Sequence, residues 1–575
     1  MFQFILTDEF VENTNNLKHP ALSLVELLVS HDGAVHVELA SFLTHRERRH
    51  IVELCHAIAY SAVREWFFAS STLVLPSSME AAVRLLYALT PTLGAFVTSV
   101  RFLDPRFQEL AILAAPSLPN LKAVLIGEPE LGDILYYPST TLSTRWPKSV
   151  TTLNLKHADN IDEVSTALTI CSHFKHLKLR SFDSMEATLM MQQLQELVSL
   201  SIGLHSTRES RDLNLACFRS CSSLLALHVS GDYSGAGVVL DLSPLGVLRR
   251  LEKLRISGER RCTGLLPVLE SSGASLQSLK LETHQHISRA ESSALSTLGS
   301  LKRLELPRLK DPDLTAIAKL TKLEVLVLTM TSGMDWSPLA KLVRLKELDQ
   351  KAVWNRDDVA QFAVLAKLPR LQILTRPVAV SGTPPLMHIR KLTVCAEYAD
   401  LLPDLTKWGQ LDDICWSNQA SSDLLQGFPR TLRRLSMDLH VDMDCSVLAE
   451  FTQLRSLRLE SIVESVHTFS FLSGLVLLEN LNLQESPISD LTVLGAMTRL
   501  TNLNLYGTQV TDVSPLAGLM QLEWIDLGET SVSDVGPLNG LRNLRRLYLP
   551  EYEEMQGAQG LRARGIAVEL TSRPE

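Results

Sequence analysis

Cysteine, aromatic residues, excess basic charge and long apolar runs are all scarce in this chain of 575 residues. Eight cysteines scattered along it are too few for a disulfide framework. Aromatic residues make up only 6%, against a hydrophobic total of 45%. Aliphatic side chains, chiefly leucine, must therefore fill the interior, and wholesale disorder is excluded. The net charge of −9 lacks the basic surplus expected of a chain held mainly to phosphates. No stretch reaches the ~18 apolar residues of a membrane helix; Phe471–Leu478 is short and contains Ser473 and Gly474. The first residues lack a basic segment and are interrupted by Asp8 and Glu9, unlike a secretory leader. The last five, Thr571 to Glu575, carry no lipidation signal. A soluble, intracellular protein is the expectation: cytoplasmic, with the nucleus left open.

What the chain has in abundance is repetition. Leu478-Glu-Asn-Leu-Asn-Leu483 is followed by Leu500-Thr-Asn-Leu-Asn-Leu505, Leu522-Glu-Trp-Ile-Asp-Leu527 and Leu544-Arg-Arg-Leu-Tyr-Leu549, each 22 residues after the last. Between them recur Ile488-Ser-Asp490, Val510-Thr-Asp512 and Val532-Ser-Asp534. Earlier anchors of the same pattern fall at Leu454, Leu432, Leu411, Ile389, Leu371, Leu345, Leu323, Leu301, Leu276, Leu251, Leu224, Leu197, Phe174, Val150 and Leu121, nineteen in all. Two weaker copies precede them, at 70–75 and 97–102.

This pattern resembles the leucine-rich-repeat family, and its last repeats resemble the 22-residue type of internalins and of the phosphatase 1 regulatory subunit. The resemblance implies an α/β solenoid, with a curved parallel sheet on the concave face and helices or turns on the convex face. Residues 1–68 would form a helical cap, 69–550 the solenoid and 551–575 a terminal cap and tail.

The physical logic is one of shared burial. In Leu-x-x-Leu-x-Leu the last two leucines lie two apart, so on a strand they point to one side. One repeat cannot bury them alone; stacked repeats make a continuous column. Counting from an anchor a, residues a+2, a+4 and a+6 face the concave side. Asp490, Asp512 and Asp534 fall where the chain turns away, placed to accept from free backbone N–H groups. Thr508 and Thr530 stand where many family members carry asparagine. Longer repeats before Leu301 leave room for convex helices, as at Met185–Leu194. The Pro- and Gly-rich stretch 376–385 sits between repeats of 26 and 18 residues, which together restore the normal spacing. A kink within one superhelix is expected there.

The ends should be covered. Gly565-Ile-Ala-Val-Glu-Leu570 alternates like a closing strand. Apolar helices are expected at Leu22–Val29 and Val35–Leu43, and Ile51, Leu54, Cys55, Ile58, Ala62 and Trp66 recur at helical spacing over Glu47–Phe68. Leu39 to Leu43, Leu54-Cys55 and Trp66, ahead of leucine-rich repeats, also loosely resemble an F-box, although the usual Leu-Pro opening is absent.

No catalytic or metal constellation emerges, and no enzyme activity, cofactor or metal is expected. Cys171, His173 and His176 alternate around the anchor Phe174 and do not converge, and zinc would need a fourth ligand. His284 and His286 fall in a solvated loop, and Cys217 and Cys221 pack on the convex side. The glycine-rich Ser230–Gly237 lacks the Gly-Lys-Ser/Thr of a phosphate loop.

Function is therefore sought on the surface. The last repeats place Asn480, Asn482, Gln484, Asn502, Asn504, Tyr506, Trp524, Asp526, Gly528, Arg546 and Tyr548 on the concave face. That mixture of aromatics, arginine and amides is enriched at protein-binding centres. A second stretch is basic, with Lys156, His176, Lys178 and Arg180, then Lys253, Arg255, Lys280 and Arg303, tempered by Glu282 and Glu305. It lacks the aromatic interleaving suited to single-stranded RNA. The expected function is a non-catalytic scaffold, monomeric on its own, that binds a protein partner rather than nucleic acid or membrane. An F-box-like substrate receptor of a ubiquitin ligase and a phosphatase regulatory subunit remain the alternatives.

Overall fold

The computed structural model describes residues 97–102, 121–126, 146–155, 173–182, 194–204, 212–231, 239–258, 261–283, 286–307, 313–329, 334–350, 363–375, 386–395, 404–417, 425–438, 445–460, 469–550, 555–564 and 566–570, with a few shorter stretches from 72 onward. The expected helices before residue 69, including the F-box-like 35–68, lie outside the described residues, as do Lys156, most of Met185–Leu194, and 376–385. The chain divides into two compact units, Met1–Lys310 and Asp311–Glu575.

In the first unit, parallel strands pair in register from Thr72–Val74 to Arg303–Leu306. Their central row runs from Leu73 through Val100, Val124, Leu153, Leu177, Leu200, Leu227, Leu254 and Leu279 to Leu304. The two weak leading copies are thus genuine repeats. Among the described residues of this unit, short α-helices follow two of the strands, α1 at Leu265–Ser271 and α2 at Arg289–Leu295. In α2, Ser288 and Glu291 form a reciprocal capping box. A second, three-stranded parallel sheet joins Asp212–Asn214, Val239–Asp241 and Arg261–Thr263 beside the main ladder.

The second unit repeats this plan with shorter turns. Its central row runs from Leu326 through Leu348, Leu374, Leu392, Ile414, Leu435, Leu457, Leu481, Leu503, Ile525 and Leu547 to Val568. All nineteen anchors introduce a strand of the ladder. The strands Ile373–Thr375 and Lys391–Cys395 pair directly across the Pro-rich stretch, so the register continues through it. The closing strand forms as Ala567–Leu570 against Arg546–Leu549. Neighbouring repeats are stitched at the a+1 carbonyl, which accepts two N–H groups; Thr501 O takes Glu523 N at 2.8 Å and Trp524 N at 3.1 Å.

Among the described residues, the usual return between repeats is a single 3₁₀ turn. Asp490, Asp512 and Asp534 each accept through Oδ1 from the backbone N–H two residues on, at 2.9, 2.8 and 2.7 Å. Asp241, Asp313, Asp335 and Asp404 do the same. These bonds satisfy donors that the turn itself leaves free. The Asp490 carboxyl is held below its ordinary value by the Thr492 N–H, and Asp512 by the Ser514 hydroxyl and N–H. Proline enters the turn's first positions at Pro244, Pro338, Pro515 and Pro537, where its missing N–H costs nothing.

Thr508 and Thr530 do not form a ladder between repeats. Each buried hydroxyl donates within its own repeat, to Leu505 O at 2.7 Å and Leu527 O at 2.6 Å. Ser486, at the equivalent place, is buried with its hydroxyl unpartnered among the described residues. Thr508→Ala should therefore cost about 1–2 kcal/mol, whereas Ser486→Ala should leave stability level or raise it. Urea midpoints for the two variants test the contrast; equal losses would refute it.

Candidate functional site on the open face of the last repeats

Strand alternation decides which side chains are available. In Asn480–Asn482, Asn502–Asn504, Trp524–Asp526 and Arg546–Leu549, the central residue is buried and its neighbours are not. Register then sets two parallel rows on the open face. One is Asn480, Asn502, Trp524 and Arg546; the other is Asn482, Asn504, Asp526 and Tyr548. Tyr506 lies two residues beyond Asn504. The bonds Leu505 N to Asp526 O and Gly507 N to Gly528 O bring it alongside Gly528.

Nine of the eleven residues that the sequence places on the concave face, all but Gln484 and Gly528, thus lie in these two rows or, as Tyr506 does, just beyond them. The aromatic pair is real: the rings of Trp524 and Tyr548 stand 5.9 Å apart at 57°. Tilted pairs of this kind contribute ~0.5–1.5 kcal/mol beyond their buried area. Both rings stay half-buried.

The row containing Asp526 has a structural duty as well. Asn482 Oδ1 accepts from Gln484 N, Asn504 Oδ1 from Tyr506 N and Asp526 Oδ1 from Gly528 N, each at 2.9 Å. One oxygen of each side chain therefore holds the turn that ends its strand. The two asparagines retain their NH₂ groups; that of Asn504 lies 3.4 Å from Gln484 Oε1. Asp526 retains a charge. Burial pushes its carboxyl above the ordinary carboxylate value, partly offset by the Gly528 N–H. It forms no ion pair among the described residues, nor does exposed Arg546.

Just past each strand end the chain turns left-handed. Glu485, Gly507 and Glu529 occupy equivalent places with φ of 58°, 66° and 53°. Glycine adopts this conformation freely; glutamate does so at a cost of ~1–2 kcal/mol. Glu485 and Glu529 are exposed there, at the same end of the strands as Asp526. Sequence reading passed over both, although their shared spacing with Gly507 marks a position that favours glycine.

The basic stretch of the first unit is less free than its composition suggests. Lys280 Nζ lies 2.8 Å from both Glu282 and Glu305, and Arg255 reaches Glu282 at 3.0 Å. These four form a chain of ion pairs across three strands. The pairing holds Lys280 above and Glu282 below their ordinary values, in each case outweighing desolvation. His228 is braced between the hydroxyls of Ser201 and Ser257, each at 3.1 Å. His176 and Lys178 remain exposed on one strand; Arg180 continues it.

Of the cysteine and histidine candidates, Cys171 and His284 lie outside the described residues. His173 stacks on Phe174 at 4.8 Å, and burial lowers its pKa. His176, three residues on, is exposed. Cys221 is fully buried, its thiol pushed up to about 11 by desolvation, so it is not a nucleophile at neutral pH. Among the described residues, no group of three or more His, Cys, Asp or Glu is placed to hold a metal ion. No helix among them is long and apolar enough to cross a membrane.

A parallel ladder with one leucine-lined repeat per strand, returning through short turns, defines a leucine-rich-repeat protein. No family model and no curated protein sequence matches the chain. Among solved structures it is similar to an internalin of Listeria monocytogenes, at 19% identity over 63% of this chain and 83% of that one, with a TM-score of 0.27. It is also similar to TLR13 in its complex with ssRNA13, at 17% identity over 83% of this chain and 76% of that one, with a TM-score of 0.48. The plant peptide hormone receptor RGFR1 in complex with RGF2 matches at 13% identity over 85% and 89%, with a TM-score of 0.36.

Proposed function

We propose that the chain is a non-catalytic scaffold that binds a protein partner on the open face of its last repeats. The observation that supports this reading most is the half-buried Trp524–Tyr548 pair, with Asp526 and Arg546 on the same face and without an ion pair of their own among the described residues. Aromatic anchors on a paired strand lose little entropy on binding, and charges of both signs beside them set orientation.

The test is capture of partners from the native cell by the full chain, with Trp524→Ala and Tyr548→Ala compared on the captured partner. A binding centre loses affinity more than roughly tenfold on truncation. Melting temperature is measured on the same samples, because loss of the ring pair alone should cost only ~0.5–1.5 kcal/mol. Full affinity with a lowered melt would mean that the rings only brace the ladder. A ubiquitin-ligase adaptor or a phosphatase among the captured proteins would narrow the class.

A further inference from the structure

The charge around the aromatic pair is uneven. Asp526 lies in the middle of the patch, in the same row as Tyr548 and two residues along the strand from Trp524. One of its oxygens is committed to Gly528 N, and the other has no partner among the described residues. Gly528, beside Tyr506, contributes no side chain where other repeats carry Gln484 or Tyr506, and it is itself buried. Glu529 follows at once, exposed and without an ion pair among the described residues. Arg546, a cation on this part of the face, sits in the other row, beside Trp524.

We propose that Asp526, Trp524 and Tyr548 together form a site for a cationic side chain, an arginine or lysine carried by an extended segment of the partner protein. The inference rests on the binding reading above and names the chemistry that the face selects. A guanidinium or ammonium group set beside Asp526 meets the free carboxylate oxygen while its stem lies against the rings. Aromatic faces attract cations, and a charge-assisted hydrogen bond to a half-buried carboxylate is stronger than one at the open surface. Bringing a cation there also relieves a carboxylate that burial disfavours. A neutral side chain would leave that charge uncompensated, and an acidic one would meet repulsion from Asp526 and Glu529.

The probes are capped tripeptides, acetyl-Gly-X-Gly-amide with X as Arg, Lys, Gln or Glu, titrated into the full chain carrying 5-fluorotryptophan. The ¹⁹F resonance of Trp524 is assigned as the one missing from Trp524→Phe. Saturable shifts are expected with the Arg and Lys peptides, at concentrations where the Gln and Glu peptides leave the resonance in place. Asp526→Asn is the deciding variant, because Asn482 and Asn504 show that asparagine makes the same turn bond at this place. It should keep the fold and the melting temperature, and weaken the Arg peptide by roughly five- to tenfold.

Equal shifts from Arg and Gln peptides, or undiminished Arg binding by Asp526→Asn, would overturn the proposal. Preference for the Glu peptide would also overturn it, and would make Arg546 the selecting group. The partner assay separates the two levels. If Trp524→Ala releases the captured partner while Asp526→Asn holds it fully, the face binds but not through a cation. If neither variant releases it, the binding reading itself fails.

Discussion

Leu503→Ala should lower stability by about 3–5 kcal/mol, one of the largest losses any single truncation produces here. Leu503 is fully buried, and its register neighbours Leu481 and Ile525 are 2% and 0% exposed. Backbone bonds on both sides prevent the strand from collapsing into the space that the lost methyl groups leave. In a one-dimensional stack, each repeat is stable chiefly through its two interfaces, so a cavity in one weakens both. Asn502→Ala, one residue earlier on the open face, should change stability by no more than about 0.5 kcal/mol. Denaturant titration followed by far-UV circular dichroism measures both. A loss below about 1 kcal/mol for Leu503→Ala would mean that the repeats share their core less tightly than the register implies.

That contrast between adjacent residues is the part of the molecule most legible in the sequence. Burial on a strand has a period of two, and the anchors recur at a nearly constant interval, so face and core follow from spacing alone. The weak copies at 70–75 and 97–102 were readable for the same reason. The aspartates before the 3₁₀ turns were legible too, because an acceptor two residues ahead of Thr, Ser or Gly is a local arrangement.

What spacing did not reveal was how side chains on the open face divide their bonds. Asn482, Asn504 and Asp526 read as groups offered to a partner, yet each commits one oxygen to its own turn. Alternation gives the face of a residue and says nothing about whether its side chain folds back. The Arg255–Glu282–Lys280–Glu305 chain was hidden differently. Arg255 pairs in register with Lys280, so Glu282 lies diagonally, and the irregular repeat lengths before Leu301 conceal that proximity. Thr508 and Thr530 show a third limit: their place in the repeat was evident, but a hydroxyl is too short to serve two repeats, and each bonds within its own.

Gly557→Ala should cost about 3 kcal/mol at the C-terminal end and weaken partner binding as well. Gly557 has a φ of 84°, a conformation that L side chains rarely adopt, and its closest neighbours are backbone atoms. A Cβ there would stand 2.3 Å from Gly536 N and 2.6 Å from Gly536 Cα. Neither is the end of a flexible side chain, so the two segments must part. The closing helix α3, Ala558–Ala563, would be displaced with them. That helix buries Ala558 and Leu561 against the last repeat, and Arg564 beyond it donates to the carbonyls of Asn539 and Leu541. Gln556 adds two backbone bonds, to Ser533 and Val535. Loss of this cover exposes the end of the leucine column and loosens Ala567–Leu570, the outer partner of the strand that carries Arg546 and Tyr548. The expected result is a lowered melting temperature together with reduced affinity, whereas Trp524→Ala should mainly reduce affinity. Hydrogen exchange localises the effect: amides of Arg546–Leu549 should lose protection in Gly557→Ala, while those of Asn480–Asn482, three repeats away, should keep it. Unchanged protection at Arg546–Leu549 would show that the last repeat holds its strand without the cap, and the coupling between cap and binding face would be refuted.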